Sequence, residues 1–139
     1  MAASGEIRVI IESETDLVRA RQRGRELATE MGFSPTDATL IATAISEVAR
    51  NILTYAGTGE IVISHVSENG QEGMVMLALD KGPGIEDVDA ALQEGFSTAG
   101  GLGIGLPGAR RLVDEFALSS ETGKGTQVTM KKWKGHGGG

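Results

Sequence analysis

The stretch Thr98-Ala-Gly-Gly-Leu-Gly-Ile-Gly-Leu-Pro107 decides how this chain is read. Glycines at 101, 103 and 105 stand directly before a segment that Pro107 is suited to open as a helix, since proline is favoured in the first helical turn. Amides exposed on such glycines, around the positive end of a helix, make an anion site. The same run also reads as a flexible hinge. Two familiar phosphate motifs are excluded. Gly103-Ile-Gly105-Leu-Pro-Gly108 fits G-x-G-x-x-G, but that fingerprint requires a strand just before its first glycine, and Ser97-Thr-Ala-Gly-Gly101 is not one. Only about thirty residues follow Gly108, too few for a second mononucleotide-binding half. Gly123-Lys124 is followed by Gly125 rather than by Ser or Thr, so no P-loop is present.

Working upstream, Met74–Leu79 is a continuous apolar run, as expected of a central strand covered on both faces. It ends at Asp80-Lys-Gly-Pro-Gly84. A carboxylate at the end of a buried strand is costly unless something bonds to it. Asp80 can accept a hydrogen bond from an adenine amino group, while Gly82 and Gly84 let the backbone approach a base or turn sharply. A polar strand end followed by a Pro-Gly turn is the structural alternative. Further upstream, Ser34 as N-cap, Pro35 at the first helical position and Asp37 three residues after the cap predict a helix over 35–55. Ile41, Ala44, Ile45, Val48 and Ile52 form its apolar stripe. Glu47 and Asn51 are four apart and share a face at the border of that stripe. A carboxylate there can act as a general base, and an amide oxygen can ligate Mg²⁺. A solvated glutamate and an asparagine near a helix end are the plainer reading.

The remaining segments frame these three. Glu6–Glu12 predicts a strand, and Ser13-x-x-Asp16 a capping box opening a helix with Leu17, Ala20, Gly24, Leu27 and Met31 on one face and Gly32 as its stop. Arg19, Arg21, Arg23 and Arg25 point around that helix rather than along one face, which reads as a solvated surface. Residues 60–66 predict a strand, 68–73 a hairpin loop, and 85–100 a loop of weak pattern. Leu112, Val113 and Phe116 are expected on the apolar face of a third helix. Two closing strands are expected over 117–121 and 126–133. The tail 135–139 has no packing residues and is expected to be disordered. The order β-α-α-β-β-loop-α-β-β predicts an α+β fold, a two-layer α/β sandwich with helices on one face of a mixed sheet. The expectation is one domain over 1–134.

Composition bounds the function. The chain has 139 residues, the size of one domain, with 40% hydrophobic residues for a core. A formal charge of −6 argues against a nucleic-acid partner, which needs a basic face. There is no cysteine, so thiolate chemistry and Cys-based zinc sites are absent. No apolar run approaches the ~20 residues of a membrane span. The start lacks a basic region followed by an apolar stretch, so the expected location is cytoplasmic and away from the membrane.

Taken in order, the three features resemble the boxes of the GHKL (Bergerat) nucleotide-binding fold, shared by histidine kinases, gyrase-type ATPases and small anti-sigma-factor kinases. Glu47 to Asn51 is similar to the N box, Asp80–Gly84 to the first glycine box and Gly101–Gly105 to the second. Gly125-Thr126 resembles the last box, where a threonine near the strand start helps hold the adenine side. The matches cover about 6–133. The loop between the glycine boxes is short, and neither His65 nor His136 fits a phosphoacceptor on a dimerisation helix, which sets gyrase-type enzymes and histidine kinases aside. The segment from Ser97 to Phe116 looks most like the RsbT-type switch kinases of the stressosome, with RsbW and SpoIIAB as cousins.

That resemblance implies an ATP- and Mg²⁺-dependent serine/threonine kinase acting on STAS-domain proteins of the RsbS/RsbR kind. A PP2C-type phosphatase would be its downstream target, and a homodimer is within the expectation. It implies Glu47 as base, Asn51 on Mg²⁺, and Asp80, Gly82, Gly84, Ile85 and Thr126 around the base and sugar. Ser97, Thr98 and the amides of Gly101, Leu102, Gly103, Ile104, Gly105 and Leu106 would meet the phosphates. The alternative is an ATP-loaded anti-sigma factor or binding module that sequesters a partner with little turnover.

Overall fold

The computed structural model describes residues 6–82 and 105–134. The expected loop over 85–100 and the tail over 135–139 lie outside them. Among the described residues the elements are β1 (Ile7–Ile11), α1 (Glu14–Met31), α2 (Pro35–Tyr55), β2 (Gly59–Glu68), β3 (Gln71–Asp80), α3 (Gly105–Leu112), β4 (Glu115–Glu121) and β5 (Gly125–Trp133).

Local chemistry sets the helix ends. Ser13 Oγ accepts from the Asp16 amide at 3.3 Å and Ser34 Oγ from the Asp37 amide at 3.1 Å, satisfying first-turn donors that would otherwise be orphaned. The Asp16 carboxylate accepts from the Glu12 amide at 2.9 Å, one residue earlier than in a standard capping box. Gly32 ends α1 at φ 94°, and its N–H returns to the carbonyls of Ala28 and Thr29. The short link from Gly32 to Ser34 lays α1 and α2 side by side.

The strands form one sheet in the order β1-β2-β3-β5-β4, and every pairing among the described residues is antiparallel. This corrects the mixed sheet expected from the sequence. A single crossover helix would make neighbouring strands parallel. Here two helices, running out and back, separate β1 from β2, so the chain re-enters the sheet in the opposite sense. β5 inserts between β3 and β4 and opposes both.

One sheet face is covered. Ile61 and Ile63 of β2, Met74, Met76 and Ala78 of β3, and Val128 and Met130 of β5 are buried in the core on that face. α2 buries Ile41, Ile45, Val48 and Ile52 together with four alanines, an apolar stripe wide enough to meet the sheet, α1 and α3. Leu17 and Ala20 of α1 and Leu106 and Ala109 of α3 complete the core.

Two further segments differ from expectation. The 68–73 loop shrinks to Asn69-Gly70, with φ 52° and 80°, and the strands pair as far as Glu68 and Gln71. Positive φ at both central residues is the two-residue hairpin geometry that Asn-Gly favours. The polar residues around it had hidden the strand ends. α3 stops at Leu112, and Phe116 lies in β4 rather than on the helix. The Asp114 amide already donates to the Lys131 carbonyl at 2.9 Å, and the Asp114 carboxylate accepts from the Trp133 amide at 2.7 Å. The i, i+3 spacing of Val113 and Phe116 mimicked a helix.

Gly24 lets α1 rest on α2, since a Cβ there would fall on Ile45 Cδ1. Ile45→Val should cost about 0.5–1.5 kcal/mol in the wild type. In a Gly24→Ala background the same change removes the obstructing methyl, so its cost should fall by at least about 0.5 kcal/mol. A four-member denaturation cycle measures this coupling; additive effects would contradict the packing described.

Candidate functional site

Antiparallel register brings the last box to the first. Thr126 lies directly opposite Asp80, Gly59 opposes Asp80 on the other side, and Ser120 opposes Thr126. Strand side chains alternate between faces. Ala78 and Val128, two residues away from Asp80 and Thr126, belong to the core. Asp80, Thr126 and Ser120 therefore point to the helix-covered side, at the strand ends where the core stops.

Each polar group in this row has a stated partner. Asp80 Oδ1 accepts from the Gly82 amide at 2.9 Å, which turns the chain at the end of β3 and fixes the carboxylate. A side chain at Gly82 would meet Ala56 Cβ at 2.6 Å, so the turn is pressed onto the C-terminal end of α2. Thr126 is 7% exposed, and its Oγ1 lies 3.0 Å from Ser120 Oγ. Ser120 Oγ also donates to the Gly125 carbonyl at 3.0 Å. Gly125 has φ +113°, and a Cβ there would fall on the Asp80 carbonyl, so this position requires glycine. Close approach of β5 to the Asp80 backbone aligns the threonine with the carboxylate.

The opposite wall is α2. Within Glu47-Val-Ala-Arg-Asn51, Val48 and Ala49 are buried in the core and Arg50 pairs with Glu14 of α1 at 3.0 Å. Glu47 and Asn51, both half-buried, are left on the face between core and solvent. Glu47 Oε1 accepts from the Gly105 amide, the first residue of α3, at 2.8 Å. A carboxylate at a helix N-terminus meets unpaired amides and the positive end of the dipole. The Gly105 amide, expected to face phosphate, is thus bonded to Glu47 here. Leu106 is 1% exposed with its side chain in the core, so only its backbone is suited to a ligand.

The structure brings Asp80, Gly82 and Thr126 together, and Glu47, Asn51 and Gly105 onto the neighbouring wall. Gly84, Ile85, Ser97, Thr98, Gly101, Leu102, Gly103 and Ile104 lie outside the described residues. Ser120 was missed from the sequence; its signal was an alternating strand that returns through a Gly-Lys-Gly turn onto Thr126. A cavity of about 600 Å³ reaches Asp80 and Thr126 but is lined mainly from the other sheet face, by the row Ile10, Glu60, Leu79, Gln127 and Ser119. Neither Glu47 nor Asn51 lines it, so it is a different surface from the α2 wall.

Asn51, half-buried on α2, would offer one side-chain amide oxygen to a Mg²⁺ ion. Among the described residues no group of three or more His, Asp or Glu side chains gathers to cage a metal. Mg²⁺ held mostly by phosphate and water needs only one or two protein oxygens, and a half-buried asparagine amide meets that requirement. Among the described residues no helix is long and apolar enough to cross a membrane.

Comparison with known proteins identifies the family of the fold. Residues 11–132 match the histidine kinase-like ATPase domain. The chain is 52% identical over 125 residues to the serine/threonine-protein kinase RsbT of Bacillus subtilis, covering 90% of this chain and 94% of that one. It is 33% identical over 99 residues to an anti-sigma F factor of Caldanaerobacter subterraneus, covering 68% and 69% respectively. The crystal structure of the RsbU and RsbW domains of a Mycobacterium tuberculosis protein superposes with a TM-score of 0.61 at 20% identity, over 93% of this chain and 32% of that longer one, a likeness of fold. The GHKL boxes read from the sequence, the antiparallel sheet under its helices and these matches agree: the chain belongs to the histidine kinase-like ATPase domain family, in the company of RsbT and the anti-sigma F factors.

Proposed function

We propose that this chain is a single-domain, ATP-dependent serine/threonine protein kinase acting on STAS-domain proteins of a bacterial partner-switching pathway in the cytoplasm. A PP2C-type phosphatase is the downstream target in this reading. The observation that carries it is Glu47: a half-buried carboxylate on the α2 wall, held at the start of α3 by the Gly105 amide. A domain that only sensed nucleotide would have no use for a base there. One amide bond does not exhaust a carboxylate, which has about four lone-pair positions.

In this mechanism Asp80 accepts from the adenine amino group and Thr126 stands beside it. Amides at the start of α3 and in the preceding glycine run meet the phosphates, with dipole assistance of about 0.3–1 kcal/mol. Mg²⁺, when bound, neutralises phosphate charge, and Asn51 offers it an amide oxygen. Phosphoryl transfer depends on positioning and charge more than on covalent catalysis. The substrate Ser or Thr oxygen forms a bond to the γ-phosphorus, the bond to the β–γ bridging oxygen breaks, and ADP leaves with that electron pair. The hydroxyl proton passes to Glu47.

A second reading is favoured by the 33% identity to an anti-sigma F factor: an ATP-loaded module that sequesters a partner with little turnover. Incubating the protein with labelled ATP, Mg²⁺ and STAS-domain candidates separates the two. Label on a serine or threonine of the candidate is the kinase outcome; tight ATP binding with no transfer to any candidate is the sequestering one.

Glu47→Gln keeps an acceptor for the Gly105 amide and removes the base. It should leave the ATP dissociation constant within about threefold and lower phosphoryl transfer about 10²–10⁴-fold. Glu47→Ala loses the tether as well, so the glutamine variant is the cleaner test; equal loss of binding and transfer in it would refute the assignment. Asp80→Asn keeps the bond to the Gly82 amide but places an NH₂ group in the site. Calorimetry should show ATP affinity falling at least about tenfold, with thermal stability little changed.

A further inference from the structure

We infer, resting on the adenine-nucleotide reading above, that the Glu47–Gly105 contact is an autoinhibitory tether: the proposed base occupies an amide that the nucleotide phosphates need, and phosphate displaces it on binding. The direction of this bond is fixed. The Gly105 amide can only donate, the Glu47 carboxylate oxygen accepts, and the two are 2.8 Å apart. The partners are 58 residues apart in the chain, so the bond joins two walls of the site rather than closing a local turn.

Donors are few at this helix start. First-turn amides have no intrahelical acceptors, which is what makes a helix start attractive to an anion. Pro107, the third residue of α3, has no N–H to contribute. Gly105 is buried, with φ 69°, a conformation that glycine adopts freely and other residues rarely do. The backbone therefore holds the donor in place, and the glutamate side chain is the partner with rotatable bonds to move away. An N–H with one proton does not fully serve two anions, and a phosphate beside the carboxylate also repels it. When phosphate takes the Gly105 amide, Glu47 Oε1 loses this partner and becomes available to a substrate hydroxyl. Without phosphate, that oxygen is engaged and the start of α3 is capped. The event that delivers the phosphoryl group thus also releases the base, and the two are linked reciprocally.

Calorimetry on the full chain tests this by comparing ATP with adenosine, which has the base and sugar but no phosphate to compete for the amide. Glu47→Ala removes the competitor, so ATP should bind about tenfold more tightly than to the wild type, while adenosine affinity stays within about twofold. Glu47→Gln loses the charge but keeps a carbonyl oxygen for the amide, so its ATP affinity should stay near the wild-type value. Unchanged or weaker ATP binding in Glu47→Ala would overturn the tether, because the contact would then not compete with phosphate. An equal gain in Glu47→Gln would overturn it too, by making charge repulsion rather than the hydrogen bond the cause, and so would an equal gain for adenosine. Each of these outcomes leaves adenine recognition by Asp80 intact. A wild type that binds neither ligand would overturn the underlying reading along with the tether.

Discussion

Burial of the α2 stripe against the sheet is the constraint on which the rest depends. Ile41, Ile45, Val48 and Ile52 fix the rotation of α2 about its axis, and at 3.6 residues per turn that rotation decides where every other side chain goes. Glu47 and Asn51 fall at the border of the stripe because they sit one turn apart beside it. Rotated by one residue, the helix would turn Glu47 into the core or Asn51 into open solvent. The helix also supports the far end of the site, where Ala56 presses on the Gly82 turn that holds the Asp80 carboxylate.

The helix walls of this arrangement were legible in the sequence because their signals are local. Ser34, Pro35 and Asp37 announce the start of α2, and the apolar spacing gives its face, so the sequence alone places Glu47 and Asn51 together. The boxes around Asp80 and Thr126 were legible as boxes. Their meeting was not, because strand order depends on pairings between distant segments. The out-and-back path of α1 and α2, and the insertion of β5 between β3 and β4, gave an antiparallel sheet where a mixed one was expected. Ser120 escaped for a related reason. Its role comes from a neighbour across the hairpin, and in Ala117–Glu121 apolar residues alone reveal only that a strand is present. Phe116 was misplaced because a spacing of three suits both a helix and a strand that begins just beyond its end.

The site joins two kinds of order. On the sheet side, backbone register and a glycine with positive φ lock Asp80, Thr126 and Ser120 into one row, so polarity there is set by geometry that folding itself enforces. On the helix side, Glu47 bonds to the first amide of α3, and this couples the proposed base to the segment expected to meet phosphate. In the proposed function the sheet side would take the nucleobase and the start of α3 the phosphates, a division that suits a kinase presenting its nucleotide to a protein partner.

In the proposed function adenine nucleotide binds on the helix-covered side of the strand ends and not in the cavity on the other sheet face. Backbone amide NMR during an ATP titration tests this directly. The amides of Gly82, Gly105 and Thr126 should shift together and saturably, while those of Ile10, Glu60 and Gln127 should move little. Shifts centred on Ile10, Glu60 and Gln127, with Gly105 unmoved, would contradict binding on the helix-covered side.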